Sequence, residues 1–180
     1  MGQRLSEVTI TTLLDHRMFG LVNEDFGEGL APVGHGDGAW VTAGRSEILI
    51  VTPFDNQEAV LRLEEWDGEP GPEPEDSCGP WQDDVVTVSM DCFGNGGTIG
   101  LNQISAGGAD TGFSLSQPGR YHVRLARRNG EAFARARTAV FARFDPARRE
   151  WDALEDALKA IDVREEYLVR FWRVADGPRG

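Results

Sequence analysis

The chain reads as an all-β sandwich of about eight strands with a helical insertion before the last strand. Three observations carry that expectation. Short segments alternate apolar and polar residues with period two, turn-forming Gly and Pro recur between them, and one stretch near the C-terminus has helical spacing. The 180 residues fit a single domain spanning 1–180, and 40% hydrophobic with 27% charged residues is ordinary globular composition.

Residues 6–15 set Val8, Ile10, Thr12 and Leu14 on one face of a half-buried strand, which 17–22 extend. Residues 23–38 are rich in glycine and acid without an apolar period, as expected of a long connection. Residues 39–43 and 47–52 flank Gly44-Arg45 as a hairpin, and Pro53 ends its ladder because it has no N–H to donate. A strand follows over 58–66. The pair 84–92 and 98–104, joined through Gly94, Gly96 and Gly97, is the clearest hairpin signal: Val86, Val88, Met90 and Cys92 alternate in the first arm, Ile99 and Leu101 in the second.

After the Pro118-Gly119 turn, 119–127 point Tyr121, Val123 and Leu125 inward and Arg120, His122 and Arg124 outward. Phe133, Ala136, Val140 and Phe144 favour a helix over 131–144, although Arg135 and Arg137 also fit strand alternation. Asp145 is placed to cap a helix over 145–161 with Pro146 at its first position. Its stripe of Trp151, Leu154, Leu158 and Ile161 is expected to face the sandwich. These helical segments make 127–164 an Arg-rich helical insertion. Residues 165–174 close the chain as a strand with Tyr167, Val169 and Phe171 on one face and Leu168, Arg170 and Trp172 on the other.

Charge is unevenly distributed. The net charge is −12, and residues 1–119 hold 4 basic against 20 acidic side chains, whereas 120–180 hold 14 basic and 10 acidic. Residues 64–84 carry nine acids and no base among Pro70, Pro72, Pro74 and Pro80, so self-repulsion and fixed dihedrals predict an exposed acidic loop. So negative a chain repels phosphate backbones, which disfavours direct nucleic-acid binding. No apolar run approaches a bilayer span, and 1–7 lack the order of a signal peptide; a cytoplasmic protein without membrane contact is expected.

No motif spells out a catalytic site. His16, His35 and Asp37 are candidate metal ligands only by lying in loops, and solvated loop residues explain them as well. The Gly94–Gly100 segment superficially resembles a phosphate-binding loop but precedes a strand and lacks the following Lys-Ser/Thr. Cys92 with His16 or His122 carries no nucleophile signature, and Cys78 and Cys92 are too few for a disulfide scaffold. No cofactor is implied. Trp40, Trp66, Trp81, Trp151 and Trp172 serve a core, an interface or a ligand cavity equally well.

The strand over 6–15, the Gly-rich connection, 40–43, the strand ending in Trp66, 85–90, and above all 119–125 with 165–172 together resemble a β-sandwich family from high-GC bacteria. More distantly they resemble the competence J nuclease-inhibitor family. The similarity runs over most of 6–125 and 165–174, with the Arg-rich insertion as a departure, and it transfers no functional residue. Taken with the acidic stretch, it leads to the expectation of a non-enzymatic protein-binding module of inhibitor or immunity type acting through an acidic surface, a solvated loop that merely aids solubility being the alternative reading of that stretch. The expected partner is a protein with a basic surface, such as a nuclease. Glu64, Glu65, Trp66, Trp81, Asp83 and Asp84 are the expected contact residues, carboxylates for steering and tryptophans as anchors. The opposing expectation is a small-molecule binder or enzyme using a cavity between the sheets.

Overall fold

The computed structural model describes residues 1–14, 16–24, 39–53, 57–75, 79–81, 84–94, 97–103, 107–145 and 150–174. They form β1 (Arg4–Leu14), β2 (Met18–Asn23), β3 (Val41–Ala43), β4 (Glu47–Val51), β5 (Gln57–Trp66), β6 (Val86–Cys92), β7 (Thr98–Gln103), β8 (Gly107–Ser114), β9 (Gly119–Arg128), α1 (Gly130–Phe141), α2 (Trp151–Lys159) and β10 (Glu165–Arg173). Two five-stranded sheets result. The first, sheet A, has the order β1-β5-β10-β9-β6, and sheet B the order β3-β4-β2-β7-β8. The all-β sandwich with a helical insertion before the last strand is therefore the observed class. The helices leave β9 and return to β10, which pair with each other antiparallel, so the insertion takes the place of a hairpin turn.

Alternation builds the core. Leu61, Leu63, Val123, Leu125, Tyr167, Val169 and Phe171 point from sheet A against Phe19, Leu21, Ile48, Ile50, Ile99 and Phe113 of sheet B. Two aromatic pairs bridge the layers: Phe19 meets Tyr167 edge-on with centroids 5.3 Å apart, and Phe113 meets Phe171 at 5.6 Å. Among the described residues, fully buried rings and aliphatic chains from both layers pack between the sheets.

Several expectations need correction. Residues 17–22 do not extend β1; His16 and Arg17 take left-handed backbone angles and turn the chain across into β2 of sheet B. The segments 84–92 and 98–104 are not a hairpin, because β6 pairs with β9 and β7 with β2 and β8. Their glycine-bearing connection instead carries the chain from one sheet to the other. β8 went unforeseen because Gly-Gly-Ala-Asp-Thr-Gly-Phe-Ser has one large apolar side chain and no period; its ladder with β7 creates the strand.

The C-terminal helix is shorter than expected and differently placed. It begins at Trp151 without a side-chain cap, and residues 146–149, Pro146 among them, lie outside the described set. None of its side chains is fully buried and Trp151 is 60% exposed. Its half-buried Leu158, with Ile161 just past its end, lines grooves against α1 and the Leu13 end of sheet A, so the stripe completes a helical hairpin and does not enter the sandwich core. No described helix is long and apolar enough to cross a membrane.

Candidate protein-interaction surface

The outer face of sheet A is polar and crowded. Strand alternation puts Arg62, Glu64 and Trp66 of β5 beside Leu168, Arg170 and Trp172 of β10, with Arg170 opposite both Glu64 and, on β9, Arg124. Glu64 is fully buried, yet every demand of its charge is met. Its carboxylate accepts from Arg170 Nε at 3.0 Å and Trp66 Nε1 at 2.9 Å, and pairs with Arg62 at 2.7 Å and Arg4 at 3.2 Å. Arg170 is itself only 4% exposed. Burial lowers its pKa, while the carboxylates of Glu64 and Glu73 act in the opposite direction.

The segment after β5 folds back over this face as a strap. Arg170 donates to the carbonyls of Gly71 at 3.0 Å and Pro72 at 3.2 Å, and Arg124 to those of Pro70 and Gly71 and to the Glu69 carboxylate at 2.8 Å. Arg128 donates to the Gly79 carbonyl at 3.1 Å and lies 4.2 Å from the centroid of the Trp81 ring, whose Nε1 donates to the Pro74 carbonyl at 3.0 Å. A proline-rich segment offers carbonyl acceptors but few N–H donors, and a guanidinium fork offers donors only, so the two are matched. Arg127, stacked 4.6 Å over Trp40, closes the series with Asp84 at 2.7 Å. The positive C-terminal portion of the sequence thus meets part of the negative N-terminal portion within one molecule.

This arrangement sorts the expected contact residues. Glu64 and Glu65 belong to β5 and not to an exposed loop, because the strand's ladder runs on to Trp66. Glu65, 3% exposed, points into the sandwich and accepts from Ser116 N at 2.9 Å, Ser116 Oγ at 2.7 Å and the Tyr121 hydroxyl at 3.4 Å. Burial first, then the Glu65 charge, pushes the Tyr121 pKa up to about 12. Trp66 and Trp81 are half-buried and Asp84 is exposed; Asp83 lies outside the described residues. Among the described residues, Asp67, Glu69 and Glu75 of the strap are exposed, Glu69 while pairing with Arg124. The arginines that hold the strap are the functional residues sequence reasoning missed. Their alternation on 119–127 was visible, but not what they would grip.

His16 is exposed at the β1–β2 turn, whereas His35 and Asp37 lie outside the described residues. Among the described residues no group of three or more His, Cys, Asp or Glu could hold a metal ion. Cys92 is a free, fully buried thiol, and burial aided by Asp91 pushes its pKa up to about 12, which suppresses the thiolate that nucleophilic chemistry needs. His122 points outward as expected, and its ring packs 5.3 Å from that of Trp172.

No family model matches the chain, and no curated protein does. Among solved structures it is similar to ComJ, described as an inhibitor of the DNA degrading activity of NucA, from Bacillus subtilis, with a TM-score of 0.52 and 14% sequence identity over 97% of this chain and 99% of that one. The chain shares the ComJ fold. The distant resemblance read from the strand order is thereby supported at the level of architecture.

Proposed function

We propose that this chain is a non-enzymatic, inhibitor-like protein-binding module whose acidic strap docks on a basic protein surface, the nucleic-acid-binding face of a nuclease being the best chemical fit. One observation carries the reading: the strap is gripped largely by its backbone carbonyls, at Pro70, Gly71, Pro72 and Gly79. Such a grip orders the segment chiefly through its backbone, so Asp67, Glu69 and Glu75 stay exposed on a supported chain even though Glu69 also pairs with Arg124 at 2.8 Å. A row of carboxylates held in advance loses less entropy on binding than a mobile acidic tail. It offers a phosphate-binding surface the charge that surface is built to receive, and it steers association. Trp66 and Trp81, at the two ends of the strap, supply apolar area. The ComJ likeness adds support, since that protein is described as acting on a DNA-degrading partner.

The test begins with capture from the source organism's extract on the immobilised chain, followed by a DNA-degradation assay of the purified partner with and without the chain. Replacing Asp67 and Asp84 by Asn and Glu69 and Glu75 by Gln together is expected to slow association, flatten its salt dependence and remove protection of the DNA. A variant that binds and protects as the parent does moves the interface off the strap.

A further inference from the structure

Of the four sheet edges, the free edge of β1 is the least defended. β3 has three residues, and β8 carries left-handed glycines at Gly107 and Gly112 and an irregular register. β6 is seven residues long and carries a charge at Asp91, whose N–H also donates to the Arg45 carbonyl of the opposite layer at 2.7 Å. β1 is eleven residues long, contains neither Lys nor Pro, and has no charge from Val8 to Leu14. Among the described residues only β5 pairs with it. It also exposes two leucines, Leu5 at 52% and Leu13 at 57%. Proteins that stay monomeric usually block such an edge with charge, proline or a bulge, and here the one bulge lies at the far N-terminal end, between Arg4 and Ser6.

We infer that the β1 edge pairs antiparallel with the β1 edge of a second copy of this chain, about a two-fold axis at Thr9, joining two copies of sheet A into one continuous sheet. The register follows from three constraints. Gln103 Nε2 of sheet B donates to the Leu13 carbonyl, so the backbone groups of Leu13 point away from β5. By ladder alternation those of Glu7, Thr9 and Thr11 also point to the free edge, and the axis falls on one of them. An axis at Glu7 sets two carboxylates opposite each other, which is repulsive, and an axis at Thr11 centres the pairing next to the Leu13 carbonyl that Gln103 already occupies. An axis at Thr9 avoids the repulsion and moves the Leu13 carbonyl from the centre of the pairing to its end. It sets Glu7, already paired with Arg4 and Arg62, opposite Thr11 of the second copy and brings the bulge at Leu5 to the level of Leu13, where the two exposed leucines approach each other. Leu13 lines a groove with Leu158 and Ile161, which gives the incoming Leu5 an apolar seat. The inference uses β1 alone and is independent of the strap.

Sedimentation equilibrium of the full chain, with far-UV circular dichroism of each variant, tests it. The parent is expected to dimerise. Thr9→Pro removes an outward N–H without disturbing the β5 ladder and is expected to be monomeric over the concentrations at which the parent is a dimer. Thr11→Glu faces Glu7 of the second copy and should dissociate, whereas Thr11→Lys should hold the dimer at least as tightly. A parent that is monomeric throughout, a folded Thr9→Pro variant that still dimerises, or equal effects of Thr11→Glu and Thr11→Lys would each overturn the inference. If Thr9→Pro does not fold, the opposite signs expected at Thr11 decide the matter on their own.

Discussion

The strap-covered face of sheet A and the helical hairpin are both built from arginines, acids and tryptophans, yet they hold the molecule together very differently. On the sheet, Glu64 and Arg170 are buried and each charge meets several partners. On the hairpin, the ion pairs Glu131–Arg135 at 3.6 Å and Glu155–Lys159 at 2.6 Å are exposed, and no α2 side chain is fully buried. Exposed pairs of this kind contribute little because water competes for both ends and the long side chains lose freedom in meeting. A buried network becomes indispensable once formed, because removing one member leaves the others charged and dry. The number of charges is similar; what surrounds them differs.

The largest effect is therefore expected from Glu64→Ala, which strands the buried Arg170 with Glu73 at 4.0 Å as its remaining carboxylate. A loss of about 3–5 kcal/mol in urea unfolding is expected. A loss under about 1 kcal/mol would mean that the buried network is no stronger than a surface pair.

An intermediate effect is expected from Trp81→Ala, which removes the stacking on Arg128 and the bond to the Pro74 carbonyl. Global stability should fall by about 1–2 kcal/mol while proteolytic cleavage within 67–81 accelerates markedly. Cleavage at the parent's rate would show that the arginine–carbonyl bonds alone keep the strap in place.

The smallest effect belongs to the hairpin. Leu154→Asp is expected to lower stability by less than about 1 kcal/mol, since Leu154 is only half-buried and a carboxylate there reaches water. Had the stripe faced the sandwich core, the same change would have placed an unpartnered charge between the sheets and cost several times as much. Thermal melting of this single variant thus separates the two placements of α2.

Period-two segments were legible wherever one face is apolar. β1, β4, β9 and β10 fall close to their expected limits, and the hairpin of β3 with β4 forms as read. Legibility failed where an element owes its form to a neighbour. β8 has no pattern of its own, and β6 and β7 carry a hairpin signal that the two-layer topology overrides. The candidate surface was half legible: the acidic stretch and its tryptophans stand out in composition, but Glu64 and Glu65 look no different there from Glu69 or Glu75. Their burial is set by the ladder with β1 and β10, which continues through Trp66.

By itself the sequence determined the alternation that separates a core face from a polar face on each strand, because side chains of an extended chain point to opposite sides whatever lies beyond them. It also determined the strong separation of charge along the chain. Only the tertiary structure decided that β5 and β10 run parallel, that β2 leaves the sheet of β1, and that arginines from β9 and β10 reach the carbonyls of a strap some 50 to 100 residues earlier in the chain. The physical reason is that pairing between distant strands depends on how two whole layers pack, and a guanidinium seeking acceptors carries no local mark of which backbone will supply them.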